Sequence, residues 1–136
     1  MRLPNWEKRL AEFIQSHENA RFEWGSFDCL QFCIGAELAI TGKSRLADFI
    51  TGIPYGNLRE SIRGLSKLDC ADVFDLADKV KERKPLTMLK RGDWVGVPAL
   101  YGNALSIFDG IRLVGVNNHG LVRQSMSTGI YAWRLD

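Results

Sequence analysis

A cysteine at the start of an apolar segment is the residue of this sequence best suited to do chemistry. Cys29 follows Asp28 and opens a mostly apolar run that reaches to about Ile40. If this run is a helix, the free N–H groups and the positive dipole end of its first turn favour the thiolate, which is the nucleophilic form of cysteine. The alternative is that Cys29 is one more small buried hydrophobe of the helix. A catalytic role therefore depends on whether the rest of the chain supplies a base.

Two histidines are candidates for that base. His119 lies in Asn117-Asn118-His119-Gly120, a turn-like tetrapeptide in which Asn, His and Gly tolerate left-handed backbone geometry. His17 ends the first predicted helix, where an imidazolium would complement the helix dipole. A structural role is the simpler interpretation of both residues, although either could approach Cys29 in space.

The three cysteines offer a second class of chemistry. Cys29 and Cys33 are four residues apart and share one face of a helix, and Cys70 lies near the start of another predicted helix, so three thiolates could ligate zinc or an iron–sulfur cluster. The sequence has no C-x-x-C, and a fourth ligand would have to be a distant histidine or come from another chain. Because the neighbours are apolar and suit packed thiols, we predict no metal centre and no cofactor.

Apolar residues spaced by three and four positions predict helices in the first half of the chain. The predicted helices cover about 4–17; about 28–41, closed by Gly42; a short segment after the capping box at Asn57; and a segment from Asp69 that ends before Pro85. The second of these is apolar over most of its circumference, as expected of a central helix.

Beyond Arg91 the pattern changes to short β-prone runs separated by Gly, Asn, Asp and Ser. These runs are 94–97, 104–108, 112–116, 121–124 and 130–135, and Asp109-Gly110 is typical of a hairpin. We therefore predict one α+β domain over 1–136. Its N-terminal helices pack on a small C-terminal antiparallel β-sheet of four to six strands, or on a partial barrel, with Cys29 in the first turn of the central helix.

The order of these motifs resembles the NlpC-type cysteine peptidases, papain-like enzymes that cut bacterial cell-wall peptides. The pattern is most similar to short bacteriophage members encoded among tail-tip genes, whose chains also end in an Ala-Trp-Arg-hydrophobic run. The resemblance implies a papain-like fold in which an Asp-Cys pair opens the central helix. The matching residues are Trp24-Gly25, Asp28-Cys29, Gly92-Asp93-Trp94-Val95, 105–110 and Ala132-Trp133-Arg134-Leu135.

The same resemblance implies that the catalytic base is missing. In active members a histidine begins the second strand, and the matching position here is Ala104. The polar residue that orients this histidine falls within 113–116, where no side chain can hydrogen-bond an imidazole. Cys29 is then a vestigial nucleophile that lacks the general-base contribution of about 10² to 10⁴ in rate. His119 is the residue that could replace the base if chemistry survives.

The expected function is that of a structural component of a bacteriophage tail tip, located in the virion after synthesis in the host cytoplasm. Its partners would be other tail proteins of the hub, distal tail and central tail tip, with peptidoglycan as a further contact. Trp24 would line the mouth of a vestigial cleft. The apolar loop with Phe49, Ile53 and Tyr55 would bind a partner, because exposed apolar patches are typical of interaction sites. The alternatives are an active cell-wall peptidase that uses Cys29 and a small metal-binding module built on the cysteines.

Composition excludes several other classes. The 136 residues carry a net charge of only +2, and the basic clusters at 79–84 and 90–91 are not interleaved with aromatic residues, so we expect no nucleic-acid partner. No run approaches the roughly 18 apolar residues of a membrane span, and the first residues lack a signal-peptide core. Three cysteines in such a chain argue for thiols rather than disulfides.

Overall fold

A computed structural model of the chain describes residues 1–100 and 102–136, and its fold is α+β as predicted. The described residues form five α-helices and six β-strands: α1 (Trp6–Ser16), α2 (Cys29–Thr41), α3 (Arg45–Phe49), α4 (Leu58–Lys67), α5 (Val73–Val80), β1 (Arg83–Lys84), β2 (Trp94–Ala99), β3 (Gly102–Phe108), β4 (Leu113–Asn117), β5 (Gly120–Gln124) and β6 (Tyr131–Trp133). The strands make one antiparallel sheet in the order β1-β6-β2-β3-β4-β5. The sheet is open, with β1 and β5 at its edges, and is not closed into a barrel.

Side-chain caps fix where α2 and α4 begin. Asp28 accepts a hydrogen bond from the Gln31 N–H at the start of α2, and Asn57 accepts one from the Glu60 N–H at the start of α4. The predicted start of the fourth helix at Asp69 is wrong by a few residues. α5 begins at Val73 with Asp72 as its cap, because Asp69 has a left-handed backbone conformation (φ 58°) that an α-helix does not contain.

Two elements were not predicted from the sequence. α3 has only five residues, too few for its apolar spacing to stand out. β1 also contradicts the prediction that all strands follow Arg91, since Arg83 pairs with Trp133 and Lys84 with Ala132. Arg83 and Lys84 belong to a charged run that suggested a solvated helix end, but the Lys84 side chain is buried in an ion pair and the chain there is extended.

The sheet buries both of its faces, one much more extensively than the other. Alternate strand residues pack against the helices, while a smaller group on the opposite face is covered in part by Leu86 and Leu89. This alternation is the pattern that predicted strands from the sequence. The helix-facing core includes Leu10, Phe32, Cys33, Ile40, Phe74, Trp94, Leu105, Ile107, Val114 and Trp133, and the smaller group is Val95, Val97, Phe108, Leu113 and Ala132. No helix in the described part of the chain has the length and apolar character needed to cross a membrane.

Two buried ion pairs hold the last residues of the chain against the sheet. Asp93 accepts hydrogen bonds from the Lys84 ammonium (2.5 Å), the Lys90 N–H (2.8 Å) and the Leu135 N–H (3.0 Å). The Lys81 ammonium pairs with the buried Glu37 carboxylate and donates to the Leu135 carbonyl (2.6 Å). Both main-chain groups of Leu135 are therefore bound to charged side chains.

We predict that Asp93→Ala destabilises the fold by about 3–5 kcal/mol, because it leaves the Lys84 ammonium buried without a counter-charge. Urea unfolding followed by circular dichroism measures this loss. Asp136→Ala is the matched control, since Asp136 pairs with Arg2 at the surface and should cost less than about 1 kcal/mol. An Asp93→Ala loss no larger than that of the control would contradict the prediction.

Candidate functional site

Most of the residues singled out in the sequence line a common cleft of about 1050 Å³. Its walls come from the start of α2, from α4, from the start of α5 and from strands β2 to β5. Phe49 and Ile53 are not part of its lining. The predicted site residues that do line it are Trp24, Asp28, Cys29, Tyr55, Ala104 and His119.

The Asp28 carboxylate joins the segments at one end of the cleft. One oxygen accepts from the Gln31 N–H (2.9 Å) and from the Tyr55 hydroxyl (3.3 Å), and the other accepts from the Gly25 N–H (2.8 Å). The Gln31 amide also donates to the Tyr55 hydroxyl oxygen (3.1 Å). Burial, and then the negative charge of Asp28, raise the pKa of Tyr55 above its usual range. Tyr55 is therefore a fixed, protonated donor.

Cys29 is the first residue of α2, as predicted, and its thiol is disfavoured as a nucleophile. Burial raises the pKa of Cys29 from an ordinary 9.0 to about 11, and the negative charge of Asp28 adds to this effect. The main chain of Leu105 and the N–H groups of the first helical turn act in the opposite direction and do not overcome it. The helix terminus was expected to favour the thiolate, and this expectation is wrong for the pKa as a whole. The cost of desolvating the thiolate exceeds the stabilisation that the main-chain N–H groups supply.

The strands that face Cys29 offer it no proton acceptor. Ala104 lies in the cleft and packs against the smaller apolar group, while Leu105 is buried against the helices. The Ser106 hydroxyl is buried and donates to the Val95 carbonyl (2.9 Å). Within 104–106 and 113–116, the residues that line the cleft are Ala104, Leu105, Ser106, Leu113, Gly115 and Val116, and none carries an imidazole, carboxylate or amide side chain.

His119 lies at the tip of the β4–β5 hairpin and shares the cleft with Cys29. The residue is exposed, and its N–H donates to the Asn117 side chain (2.8 Å), which is the turn predicted from the sequence. His17 does not line the cleft in the described part of the chain. Its ring stacks on Phe27 with centroids 5.3 Å apart and lies 2.8 Å from the Phe13 carbonyl. A structural role accounts for His17.

The predicted partner-binding residues have different environments. Trp24 lines the cleft and packs edge-to-face on Phe22 (5.0 Å between centroids). Phe49 is 38% exposed at the end of α3, whereas Ile53 is partly buried beside Gly64, where an added Cβ would come within 2.9 Å of the Ile53 side chain. Tyr55 is held by Asp28. The loop is therefore largely packed against the helices, and Phe49 is its exposed large apolar side chain.

A polar contact in the cleft was missed by the sequence reasoning. The Asn103 amide donates to the Asp72 carboxylate (2.8 Å), which joins the beginning of β3 to the beginning of α5. Asp72 also caps α5 through the Asp75 N–H (3.0 Å). The capping role could have been found from the apolar run after Asp72, but no local signal places Asn103 beside it.

The cysteines are not arranged as a ligand set. Over residues 1–100 and 102–136, no group of three or more His, Cys, Asp or Glu side chains is placed to hold a metal ion. Cys29 and Cys33 are neighbours on α2, while the Cys70 thiol contacts the Leu68 carbonyl (3.5 Å) ahead of α5. Burial raises the pKa of both Cys33 and Cys70, so these thiols are protonated core groups.

A comparison with protein-family models matches residues 1–135 to a domain of unknown function (DUF6950). A search of curated proteins found no significant match to the chain. The match covers the whole cleft, from the turn that precedes α2 to the strands opposite it.

We predict that Cys29 in the folded protein reacts slowly with iodoacetamide. With a pKa of about 11 in place of 9.0, its thiolate fraction at pH 8 is on the order of a hundredfold smaller than that of an ordinary cysteine. Peptide mapping by mass spectrometry measures the modification of Cys29 alone, and the chain unfolded in urea is the control. Alkylation at pH 7 that is faster in the folded protein than in urea would instead identify an activated thiol.

Proposed function

The chain belongs to the DUF6950 family, a domain of unknown function. From the sequence resemblance and the site together, we propose that it is a structural component of a bacteriophage tail tip, built on a degenerate and inactive NlpC-like peptidase fold. In this role the domain works by docking to other tail proteins in the virion. Peptidoglycan is a further surface that such a tip meets.

The observation that carries the loss of catalysis is the environment of Cys29. A cysteine at the start of a central helix, beside a cleft and a strand, is the arrangement that NlpC-type enzymes use for nucleophilic attack. Here the strand opposite Cys29 presents Ala104 and Leu105. Burial holds the pKa of Cys29 near 11, whereas a catalytic thiol needs an adjacent base or a lowered pKa.

The phage context is supported by the sequence resemblance. Part of that resemblance is the C-terminal run, Ala132-Trp133-Arg134-Leu135, which makes specific contacts in the fold. Trp133 is fully buried and donates to the Asp78 carboxylate (2.8 Å), and Leu135 is held by the two buried ion pairs.

An active cell-wall peptidase is the second candidate, and one observation favours it. His119 and Cys29 line the same cleft, and His119 is at the tip of a hairpin. The hydrogen bond between a nucleophile and its base can be long or poorly aligned in a free enzyme, and it can tighten in the substrate complex. The raised pKa of Cys29 is the reason that we rank this candidate second.

We expect the purified protein to hydrolyse peptidoglycan stem peptides no faster than its Cys29→Ala variant, because no described strand residue can take the thiol proton. Product release measured by mass spectrometry tests this, with an active NlpC-type peptidase as the positive control. Hydrolysis that is lost in both Cys29→Ala and His119→Ala would establish the peptidase candidate in place of the inactive one.

We further expect Phe49→Asp to leave the domain folded and to reduce its incorporation into phage particles at least several-fold, since Phe49 is the exposed apolar side chain of the loop. Ile111→Asp is the matched control, because Ile111 is exposed in the β3–β4 turn. Immunoblots of purified particles measure incorporation, and circular dichroism checks folding. Equal incorporation of both variants would show that this loop is not part of the contact surface.

A further inference from the structure

Three cationic side chains form a row on the outer face of α4. Arg59, Arg63 and Lys67 follow one another at intervals of four residues, and all three are exposed. Four residues advance an α-helix by about 6 Å and slightly more than one turn, so the row runs along the helix for about 12 Å. The other side of α4 is packed, since Gly64 is buried and Leu65 contacts the core. The row is therefore the solvent-facing side of a helix that is fixed to the domain.

This row has no counter-charge in the described part of the chain. None of its three side chains takes part in an ion pair there. Glu60, the acidic residue of α4, accepts a hydrogen bond from the Gly56 N–H (2.9 Å) instead. Helix α1 differs, because its exposed Lys8 lies 3.8 Å from the Glu12 carboxylate one turn away. The charges of the α4 row are thus left for a partner.

The row also weakens the helix that carries it. Arg59 lies in the first turn of α4, where the positive end of the helix dipole disfavours a cation, and Arg63 repels it from one turn away. Lys67 lies in the last turn, which the dipole favours for a cation. An anionic partner would offset both unfavourable interactions of Arg59. The arrangement is therefore better suited to binding than to the stability of the isolated domain.

An apolar side chain flanks the row. Ile62 is 57% exposed and lines the cleft on the same helix. It follows Arg59 by three residues, so the two side chains are neighbours on the helix surface. A simple polyanion has no group to cover Ile62, whereas a protein surface combines carboxylates with apolar side chains. The patch thus favours an acidic protein segment.

The main chain of α4 decides the form of that segment. Main-chain groups inside an α-helix are bonded to one another, so the outer face of α4 offers no hydrogen bonds to an added strand. A helix brings its own main-chain hydrogen bonds, and its residues one turn apart repeat at the same spacing of about 6 Å as the cations. A partner helix with a carboxylate at every fourth position can therefore meet the whole row.

We propose that the outer face of α4 docks an acidic amphipathic helix of a partner protein. Carboxylates at every fourth position of that helix pair with Arg59, Arg63 and Lys67, and an apolar side chain beside them covers Ile62. This inference rests on the proposed docking function and specifies the chemistry of the partner.

Two peptides, (Glu-Ala-Ala-Leu)₄ and (Gln-Ala-Ala-Leu)₄, each held helical by the same hydrocarbon staple, test the proposal in NMR titrations of the isotope-labelled full chain. We expect the Glu peptide to bind more tightly and to shift the amide resonances of α4. The double variant Arg59→Gln, Arg63→Gln should reduce that preference about tenfold, as for two exposed ion pairs. Glutamine is as good a helix former as arginine, so α4 is kept. The matched control, Lys43→Gln with Lys79→Gln, removes two exposed cations outside α4 and should leave the preference unchanged.

Salt and the variant Ile62→Ser separate the charged and apolar parts of the contact. Raising NaCl from about 0.05 M to about 0.5 M should remove most of the preference for the Glu peptide, because the Debye length shortens. Ile62→Ser should weaken both peptides alike, since it removes the apolar contact and no charge.

A preference that the α4 double variant leaves unchanged, or resonance shifts that leave out α4, would overturn the inference and leave the docking function standing. Polyphosphate that binds more tightly than the Glu peptide and is unaffected by Ile62→Ser would also overturn it, because the row would then be a site for polyanions. Absence of the protein from purified particles would contradict the docking function itself, whatever the peptides show.

Discussion

The cleft depends on one buried carboxylate, that of Asp28. Its three hydrogen bonds fix the start of α2, the turn at Gly25 and the loop that carries Tyr55. Removing a buried acceptor leaves each of its donors unpaired, at a cost of about 1–3 kcal/mol for each group that stays dry. A single side chain thus orders the turn and the helix start on either side of it and joins them to the loop that carries Tyr55.

The same carboxylate opposes chemistry at the adjacent residue. Burial is the main reason for the high pKa of Cys29, and the negative charge of Asp28 raises it further. A positively charged imidazolium nearby would offset both effects, and the strand residues opposite Cys29 supply none. The feature that gives the site its shape therefore also keeps the thiol protonated, and a surviving peptidase activity would need a cation from outside these strand residues.

Local sequence patterns predicted the elements whose causes are local. The cap at Asn57, the closure of α2 at Gly42 and the hairpin at Asp109-Gly110 involve residues that are neighbours in the chain. β1 was missed because the burial of Lys84 depends on Asp93, which also binds Leu135. The pKa of Cys29 and the contact between Asn103 and Asp72 depend likewise on how distant segments pack. Most of the residues predicted for the site therefore line the cleft, but the electrostatics of the cleft could not be predicted from local patterns.

The position of β6 has a consequence for how the chain folds during synthesis. β6 lies between β1 and β2, and β1 pairs with no other described strand. The ribosome must therefore release residues up to Trp133 before β1 can join the sheet, and until then one edge of β2 stays open. An open β edge on a nascent chain invites pairing with other chains. Completion of this sheet is consequently the last step of strand pairing in this domain, in which the Asp93 and Glu37 carboxylates bind their lysines and Leu135.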